Sequence, residues 1–334
     1  MPKCGSQIVL CDVPIRFDTY EGCSHACCYC FVQRKNSLDV GDGEGVQSLK
    51  NFIAGQRHGE TAWCDWDIPL HWGGMSDPFQ PVELERGRSL EALRVFAATQ
   101  YPFVVSTKSA LISKEPYLSL IKQCNCVVQF SAVCDKYDKF ERGASTFRER
   151  LEAASIISKY KRVVIRVQPY LPAVFKDVMN SIDLFHKAGV YGVIFEGMKY
   201  TVKKPGTIKL KGDFVYPVDE LRKHFEVFKS KLHRLGMKFY SGENRLRSMG
   251  DSLCCCGIDG MGWRPNTANL NHRLYDKQSY VFTDKMKEAG NTVVFYAMAQ
   301  ETMKRHFFKK HSFADIMEYM MSQGYYQCLI PEDK

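Results

Sequence analysis

Three cysteines pose the first chemical question. Cys23, Cys27 and Cys30 lie in the segment Gly22-Cys23-Ser24-His25-Ala26-Cys27-Cys28-Tyr29-Cys30-Phe31. A compact loop with this spacing can turn three thiolates to one point, and such thiolates hold iron–sulfur clusters. A four-iron cluster takes four ligands, so three cysteines leave one iron open to a small molecule. Structural zinc is the competing chemistry. It needs four ligands, and Cys28 or His25 would complete the set. Neither gives the usual pairing of C-x-x-C units, and Cys28 interrupts the loop as a bystander.

The chain holds 14 cysteines in 334 residues. A secreted disulfide scaffold is usually shorter and carries an export signal. The N-terminal Met1-Pro2-Lys3-Cys4-Gly5-Ser6 has no apolar signal core, so the grouped cysteines point to metal or redox chemistry in the cytoplasm. Two further groups stand out, Cys124/Cys126/Cys134 and Cys254/Cys255/Cys256, while Cys4, Cys11, Cys64 and Cys328 stand alone. With 45% hydrophobic and 25% charged residues the composition is that of an ordinary globular protein. No apolar run is long enough to span a membrane. The formal net charge of +9 favours a polyanionic partner, though only modestly.

Elements must position these groups. Short runs rich in β-branched and aromatic residues predict strands at 15–19, 68–73, 103–107, 126–132, 162–168, 192–196 and 238–241. Amphipathic patterns predict helices at 82–99, 114–122, 146–160, 174–188 and 218–235. Strands alternating with helices predict a parallel α/β sheet, open or closed as a barrel, with its chemistry at the C-terminal ends of the strands. The cysteine loop follows the first strand directly. Residues 41–45 read as a loop. Residues 200–213 read as a lysine-rich insertion after the sixth strand. The expected division is a core barrel at 1–242 and a largely helical C-terminal extension at 243–334.

The C-x-x-x-C-x-Y-C-like loop resembles the signature of the radical S-adenosylmethionine superfamily, most closely its spore photoproduct lyase-like, or DNA repair photolyase-like, branch. The likeness continues in Trp72-Gly73-Gly74-Met75-Ser76-Asp77-Pro78-Phe79-Gln80-Pro81-Val82-Glu83 on the second strand and Ser106-Thr107-Lys108-Ser109 on the third. Ser131, Glu141, Arg150 and Gln168-Pro169-Tyr170-Leu171-Pro172 also fit, so the match covers about residues 12 to 200. The resemblance implies a partial (β/α)6 barrel, a [4Fe-4S] cluster on Cys23, Cys27 and Cys30, and S-adenosylmethionine as cofactor or cosubstrate. It places Tyr29 by the adenine, and Ser76, Asp77 and Lys108 at the methionine or ribose end. Gly73, Ser131 and Gln168 join them as candidate cofactor contacts. One departure matters. The branch carries a hydrogen-donating cysteine two residues before the motif serine, and that position here is Gly74.

Alternation along the strands then selects polar residues for a pocket. Arg166 and Gln168 share a face of the fifth strand, Gln129 and Ser131 share one of the fourth, and Glu196 ends the sixth. Lys108, Arg166, Glu196 and Cys255 are the candidate catalytic residues. Arg166, Gln168 and Glu196 are equally able to pair with one another, and His71 reads as structural. The trio 254–256 is a candidate second cluster with Cys124, Cys126 or Cys134, a hydrogen-atom donor, or a set of small hydrophobes. Lys199, Lys203, Lys204, Lys209 and Lys211, with Arg245 and Arg247, are candidate phosphate contacts. His306-Phe307-Phe308-Lys309-Lys310-His311 mixes bases and rings that can stack nucleobases.

The expected activity is radical abstraction of hydrogen from a nucleic-acid base or nucleotide, pyrimidine first, in repair or rearrangement of a modified base. A flavodoxin or ferredoxin would supply electrons. The alternatives are radical modification of a peptide or protein side chain, and a zinc-stabilised nucleic-acid-binding module.

Overall fold

The computed structural model describes residues 2–4, 11–30, 39–57, 61, 64, 67–210, 212–264, 266 and 269. Lys211, the basic–aromatic tail at 306–311 and Cys328 lie outside the described residues.

Seven parallel strands form one sheet in the order β2 (Ile15–Phe17), β5 (Leu70–Trp72), β6 (Phe103–Thr107), β7 (Cys126–Ser131), β8 (Arg162–Tyr170), β9 (Gly192–Gly197) and β13 (Lys238–Ser241). Strand β1 (Lys3–Cys4) adds antiparallel at the β2 edge. Helices α2 (Glu83–Arg86), α3 (Arg88–Thr99), α4 (Tyr117–Gln123), α5 (Phe147–Ile157), α6 (Phe175–Lys187) and α7 (Val218–Arg234) occupy the crossovers. This is the partial α/β barrel that the strand–helix alternation predicts.

The alternation divides the sheet cleanly. Phe17, Trp72, Phe103, Val128, Ile165, Phe195 and Phe239 belong to the main core with the helices. Aromatic stacking fills it: Phe96 lies on Phe103 at 4.1 Å and Phe195 on Phe228 at 4.7 Å. The intervening residues Val104, Val127, Val164, Ile194 and Tyr240 form a second core on the opposite, inner face. One step further toward the C-terminal ends, the inner face becomes polar with Ser106, Gln129, Arg166 and Glu196. The inner face thus has an apolar floor and a polar rim.

Several elements depart from expectation. Strands β2 and β5 are shorter than predicted: β2 stops at Phe17, where the chain turns toward the cysteine loop, and β5 begins at Leu70 and stops before Gly73, whose φ is +87°. The helix expected at 82–99 breaks at Gly87, whose φ of +63° ends α2 and starts α3. Helix α1 (Val46–Ile53) was not anticipated; it buries Leu49 and Phe52. Gly41–Asp42 (β4) pairs with Tyr20–Glu21 (β3) rather than forming a free loop. The lysine-rich insertion folds into an antiparallel sheet of β10 (Lys199–Tyr200), β12 (Asp213–Val215) and β11 (Ile208–Leu210). After β13, the chain folds back under the floor. Gln129 Nε2 donates to the Cys256 carbonyl at 2.9 Å, Arg162 Nη1 to the Gly257 carbonyl at 3.0 Å, and Tyr240 to Asp259 at 2.6 Å. No helix of the described residues is long and apolar enough to cross a membrane.

Candidate active site

The cysteine loop leaves the C-terminal end of β2 and is held from two sides. Ser24 donates from its amide and hydroxyl to Gln80 Oε1 at 2.8 and 3.2 Å, and Gln80 Nε2 donates back to the Gly22 carbonyl at 3.2 Å. On the other side, the Cys28 amide donates to the Phe140 carbonyl at 2.9 Å and the Gly143 amide to the His25 carbonyl at 3.0 Å. Gly143 is required there, since a Cβ would stand 2.3 Å from the Ser24 carbonyl oxygen. Ala26 takes a φ of +49° between the first two cysteines, a left-handed turn that costs a non-glycine residue energy and reverses the chain.

The three sequence-selected thiols stand free of disulfides on this loop. Cys27 is buried, Cys23 and Cys30 are half-buried, and Cys28 is exposed. Burial pushes the Cys23 thiol up to about 11, with the Asp77 carboxylate adding to it. Burial pushes Cys27 up to about 12; Lys108 opposes this, while Glu141, Cys23 and Cys30 reinforce it. The thiols therefore sense one another. Unligated, Cys23 and Cys27 hold their protons, and a cationic centre would release them. Among the described residues, no three His, Cys, Asp or Glu groups stand in an arrangement that could hold a metal ion. The chemistry of the donor set, three thiols on one buttressed loop, is that of three-cysteine iron–sulfur ligation, and Cys28 is exposed.

Asp77 ties the loop to the sheet. Its Oδ1 accepts from the Phe79 amide at 2.9 Å and from Thr107 Oγ1 at 2.8 Å. Its Oδ2 accepts from the Lys108 amide at 2.6 Å and lies 3.4 Å from His25 Nδ1. Ser76 donates its hydroxyl to the Tyr20 carbonyl at 2.7 Å. Both side chains thus serve the loop junction. Gly73 is sterically fixed: its φ is +87°, and a Cβ would meet the Ser106 carbonyl oxygen at 2.5 Å.

A charged cluster backs the loop. Glu141 is 3% exposed and lies 3.3 Å from Lys108 Nζ and 2.6 Å from Arg150 Nη2. Tyr29 donates its hydroxyl to the same carboxylate. Burial alone would raise the Glu141 pKa; Lys108 and Arg150 outweigh it and hold the carboxyl below its ordinary range. Lys108 also sits 5.7 Å above the Tyr29 ring. The Ser131 carbonyl accepts from Arg150 Nη1 at 2.5 Å, which locks the end of β7 to this cluster.

On the inner face the polar residues pair with one another. Arg166 donates to Gln168 Oε1 at 3.0 Å, to Gln129 Oε1 at 3.1 Å and to Ser106 Oγ at 3.2 Å. Gln168 Nε2 donates to Glu196 Oε2 at 2.5 Å, and Lys199 Nζ to Glu196 Oε1 at 2.8 Å. His71 Nε2 lies 2.9 Å from Ser106 Oγ. Burial, then the Arg166 and Arg16 charges, push the His71 pKa down to about 3, so the ring is neutral at physiological pH.

Two expectations are corrected. The trio at 254–256 meets Cys11, not Cys124, Cys126 or Cys134, which lie in the core on the helix side of the sheet. Arg245 and Arg247 are not free phosphate contacts: Arg245 pairs with Glu243 at 2.9 Å, and Arg247 is 2% exposed beneath β13. Gln80 and Asp77 were legible only as motif letters; their role as loop anchors needed coordinates.

No family model matches the chain, and no curated protein matches it. Solved structures do. A mutant spore photoproduct lyase with dinucleoside spore photoproduct superposes at a TM-score of 0.55 with 16% identity, covering 69% of this chain and 77% of that one. Another mutant, with bound AdoMet and dinucleoside spore photoproduct, gives 0.56 with 15% identity over 69% and 76%. SuiB of Streptococcus suis bound to its precursor peptide SuiA gives 0.50 with 11% identity, over 69% of this chain and 49% of that one. At these identities the likeness speaks of fold. The chain shares its fold with spore photoproduct lyase.

Proposed function

We propose that this chain is a radical S-adenosylmethionine enzyme acting on a nucleic-acid base or nucleotide, pyrimidine first. The observation that carries the reading is the set of three free thiols, Cys23, Cys27 and Cys30, on one loop anchored at both flanks at the C-terminal edge of a partial barrel. Bound there, a [4Fe-4S] cluster and S-adenosylmethionine supply one-electron cleavage to a 5′-deoxyadenosyl radical.

The chain's own residues bind, orient and shield. Lys108 offers the cation for a carboxylate, and Glu141 fixes where that cation points. Tyr29 presents its ring beside Lys108. Ser131 ends β7 on the inner face and offers a hydrogen bond, and Gln168, two residues before the end of β8, lies on the same face. Gly73, Ser76 and Asp77 act by holding the second-strand loop close to β6. Arg166 and Glu196, bridged by Gln168, set a polar wall for the substrate. Exposed Lys203, Lys204 and Lys209 on the small sheet after β9 suit a phosphate backbone.

The substrate reading is tested by fluorescence anisotropy with single-stranded and duplex oligonucleotides at low salt. Binding that weakens with salt, and weakens further in a Lys203→Gln/Lys204→Gln/Lys209→Gln variant, supports it. No binding of DNA, RNA or nucleotide by the reconstituted protein overturns it. The likeness to SuiB, whose structure holds a precursor peptide, makes a peptide side chain the second substrate class to screen.

A further inference from the structure

Two guanidiniums face the interior of the barrel without a carboxylate. Arg16 comes from β2 and Arg166 from β8. Ile15 and Phe17 belong to the helix-side core, so Arg16 between them points to the inner face. His71, between Leu70 and Trp72, follows the same rule. Arg16 and His71 converge on Gly74, where a Cβ would stand 3.0 Å from Arg16 Cδ and 3.8 Å from His71 Nδ1. The other side of the ring meets Arg166 through a shared hydroxyl: Ser106 Oγ lies 2.9 Å from His71 Nε2 and 3.2 Å from Arg166 Nη1. The His71 ring therefore stands between the two cations, and both charges act on it.

Neither cation has a counter-ion at contact distance among the described residues. The Arg16 side chain makes no hydrogen bond or ion pair there, and its Nε is sealed from solvent without a partner. Arg166 donates to Gln168, Gln129 and Ser106, all of them neutral. The carboxylates of this face are committed elsewhere. Asp18 feels the Arg16 charge, but its Oδ1 accepts from the Met75 and Ser76 amides at 3.0 and 3.3 Å. Glu196 accepts from Gln168 and Lys199. Arg16, His71, Gly74 and Arg166 are all half-buried, so the space in front of them is open. A guanidinium withdrawn from bulk water calls for an anion. Two of them suit a phosphate monoester, which carries about −1.5 to −2 charges at pH 7 and whose oxygens match the guanidinium fork.

Depth selects the kind of phosphate. Arg16 and His71 are in register with Val104 of the apolar floor, whereas Ser106 and Arg166 belong to the polar rim. An anion held between them sits inside the barrel. Base flipping turns a nucleotide about its backbone, so the internal phosphates of a strand, diesters of single charge, remain at the mouth. A terminal phosphate enters whole. We propose that Arg16 and Arg166, with His71 between them, bind the terminal phosphate of a nucleotide substrate inside the barrel. The inference rests on the nucleotide reading above and narrows it to a substrate that carries a phosphate monoester. Gly74 belongs to the site, because its missing side chain leaves Arg16 its path across the second-strand loop.

The test is isothermal titration of the reconstituted protein with thymidine 5′-monophosphate and with thymidine. The monophosphate is expected to bind about tenfold more tightly or better, and inorganic phosphate to compete with it. Arg16→Gln leaves Ile15 and Phe17 in the core and should lose that advantage, while Arg16→Lys should keep part of it. Gly74→Ala crowds Arg16 without removing a charge and should lose part of it too. Each variant should bind S-adenosylmethionine as the native protein does. Oligonucleotides with and without a 5′-phosphate then separate the two sources of the group. A preference for the phosphorylated strand supports the site at a strand end, and a preference for the monophosphate over both strands supports it for a free nucleotide. Equal affinity for monophosphate and thymidine, or a monophosphate affinity unchanged in Arg16→Gln, overturns the phosphate site and leaves the nucleotide reading standing. An S-adenosylmethionine affinity that falls in step in Arg16→Gln assigns Arg16 to the cofactor and overturns it as well. If no nucleoside, nucleotide or oligonucleotide binds, the nucleotide reading fails, and inorganic phosphate alone decides the site: binding lost in Arg16→Gln supports it, and no binding overturns it.

Discussion

Lys108 Nζ lies 3.3 Å from Glu141 Oε1, at the point where the third parallel strand meets the cysteine loop. The lysine comes from the end of β6 and the glutamate from the connection to α5, so the pair joins two crossovers behind the loop. Arg150 takes the other carboxylate oxygen at 2.6 Å. A single buried carboxylate thus orders two cations and the Tyr29 hydroxyl.

Glu141→Gln removes that charge and leaves Arg150 buried beside a weaker acceptor. Breaking one side of a buried pair costs about 3–5 kcal/mol, so a clear fall in Tm is expected by calorimetry. The pH dependence has a definite sign. The folded-state pKa of Glu141 is depressed, so its stabilisation is full above the unfolded value, about 4.3, and is lost as pH falls through the folded value. The native protein should therefore lose stability on acidification below about pH 4.5, and the gap to Glu141→Gln should narrow there. A gap that is constant from pH 7 down to acid would contradict the assignment.

Lys108→Met removes one of the two cations on Glu141, so some loss of stability is expected. Arg150 and Tyr29 still hold the carboxylate, and S-adenosylmethionine binding should weaken. One charge-assisted hydrogen bond contributes about 1.5–3 kcal/mol, a loss of roughly ten- to hundredfold in Kd. Isothermal titration on the reconstituted protein reads it directly. An unchanged Kd would move Lys108 out of the cofactor site.

Asp77→Asn keeps one acceptor oxygen and loses the anion beside His25. The loop junction then holds a poorly matched amide among the Phe79 and Lys108 amides and Thr107, at a cost of about 1–3 kcal/mol. Lower iron retention after reconstitution and gel filtration is expected, with Cys28→Ser as the contrasting variant that keeps its iron. Equal iron in Asp77→Asn and the native protein would separate the junction from the thiol loop.

The barrel was legible because its strands are short apolar runs between turn residues and its helices are amphipathic. The cysteine loop stood out by residue type, spacing and its place after the first strand, while the Gln80, Gly143 and Ala26 contacts that shape it did not. Other features were not. Helix α1 is one short pattern, and Gly87 interrupts a helical run that periodicity cannot distinguish from a continuous one. The lysine-rich insertion has few apolar residues to announce its three strands. Arg247 looks like a surface cation in sequence, and only the fold shows it sealed beneath β13. Cys11 and Cys256 lie far apart along the chain, so their contact follows from the C-terminal segment folding under the floor, which no local spacing encodes.

Phe195→Ala tests the packing on the helix side of the sheet. The ring stacks on Phe228 at 4.7 Å and on Phe239 at 5.4 Å with no exposed surface. Removing it should cost about 3–5 kcal/mol in a denaturant titration. A loss under 1 kcal/mol would mean that the β9 and α7 layers are not in contact there.

The central claim concerns the three thiols, and the most direct measurement is S-adenosylmethionine cleavage. The protein is purified and reconstituted without oxygen, then reduced in the presence of S-adenosylmethionine, and 5′-deoxyadenosine is read by mass spectrometry beside Cys27→Ala. The account predicts about four irons per chain and 5′-deoxyadenosine from the native protein only. A native protein that holds zinc in place of iron, or that carries its full iron and binds S-adenosylmethionine yet forms no 5′-deoxyadenosine with or without oligonucleotide, would contradict it.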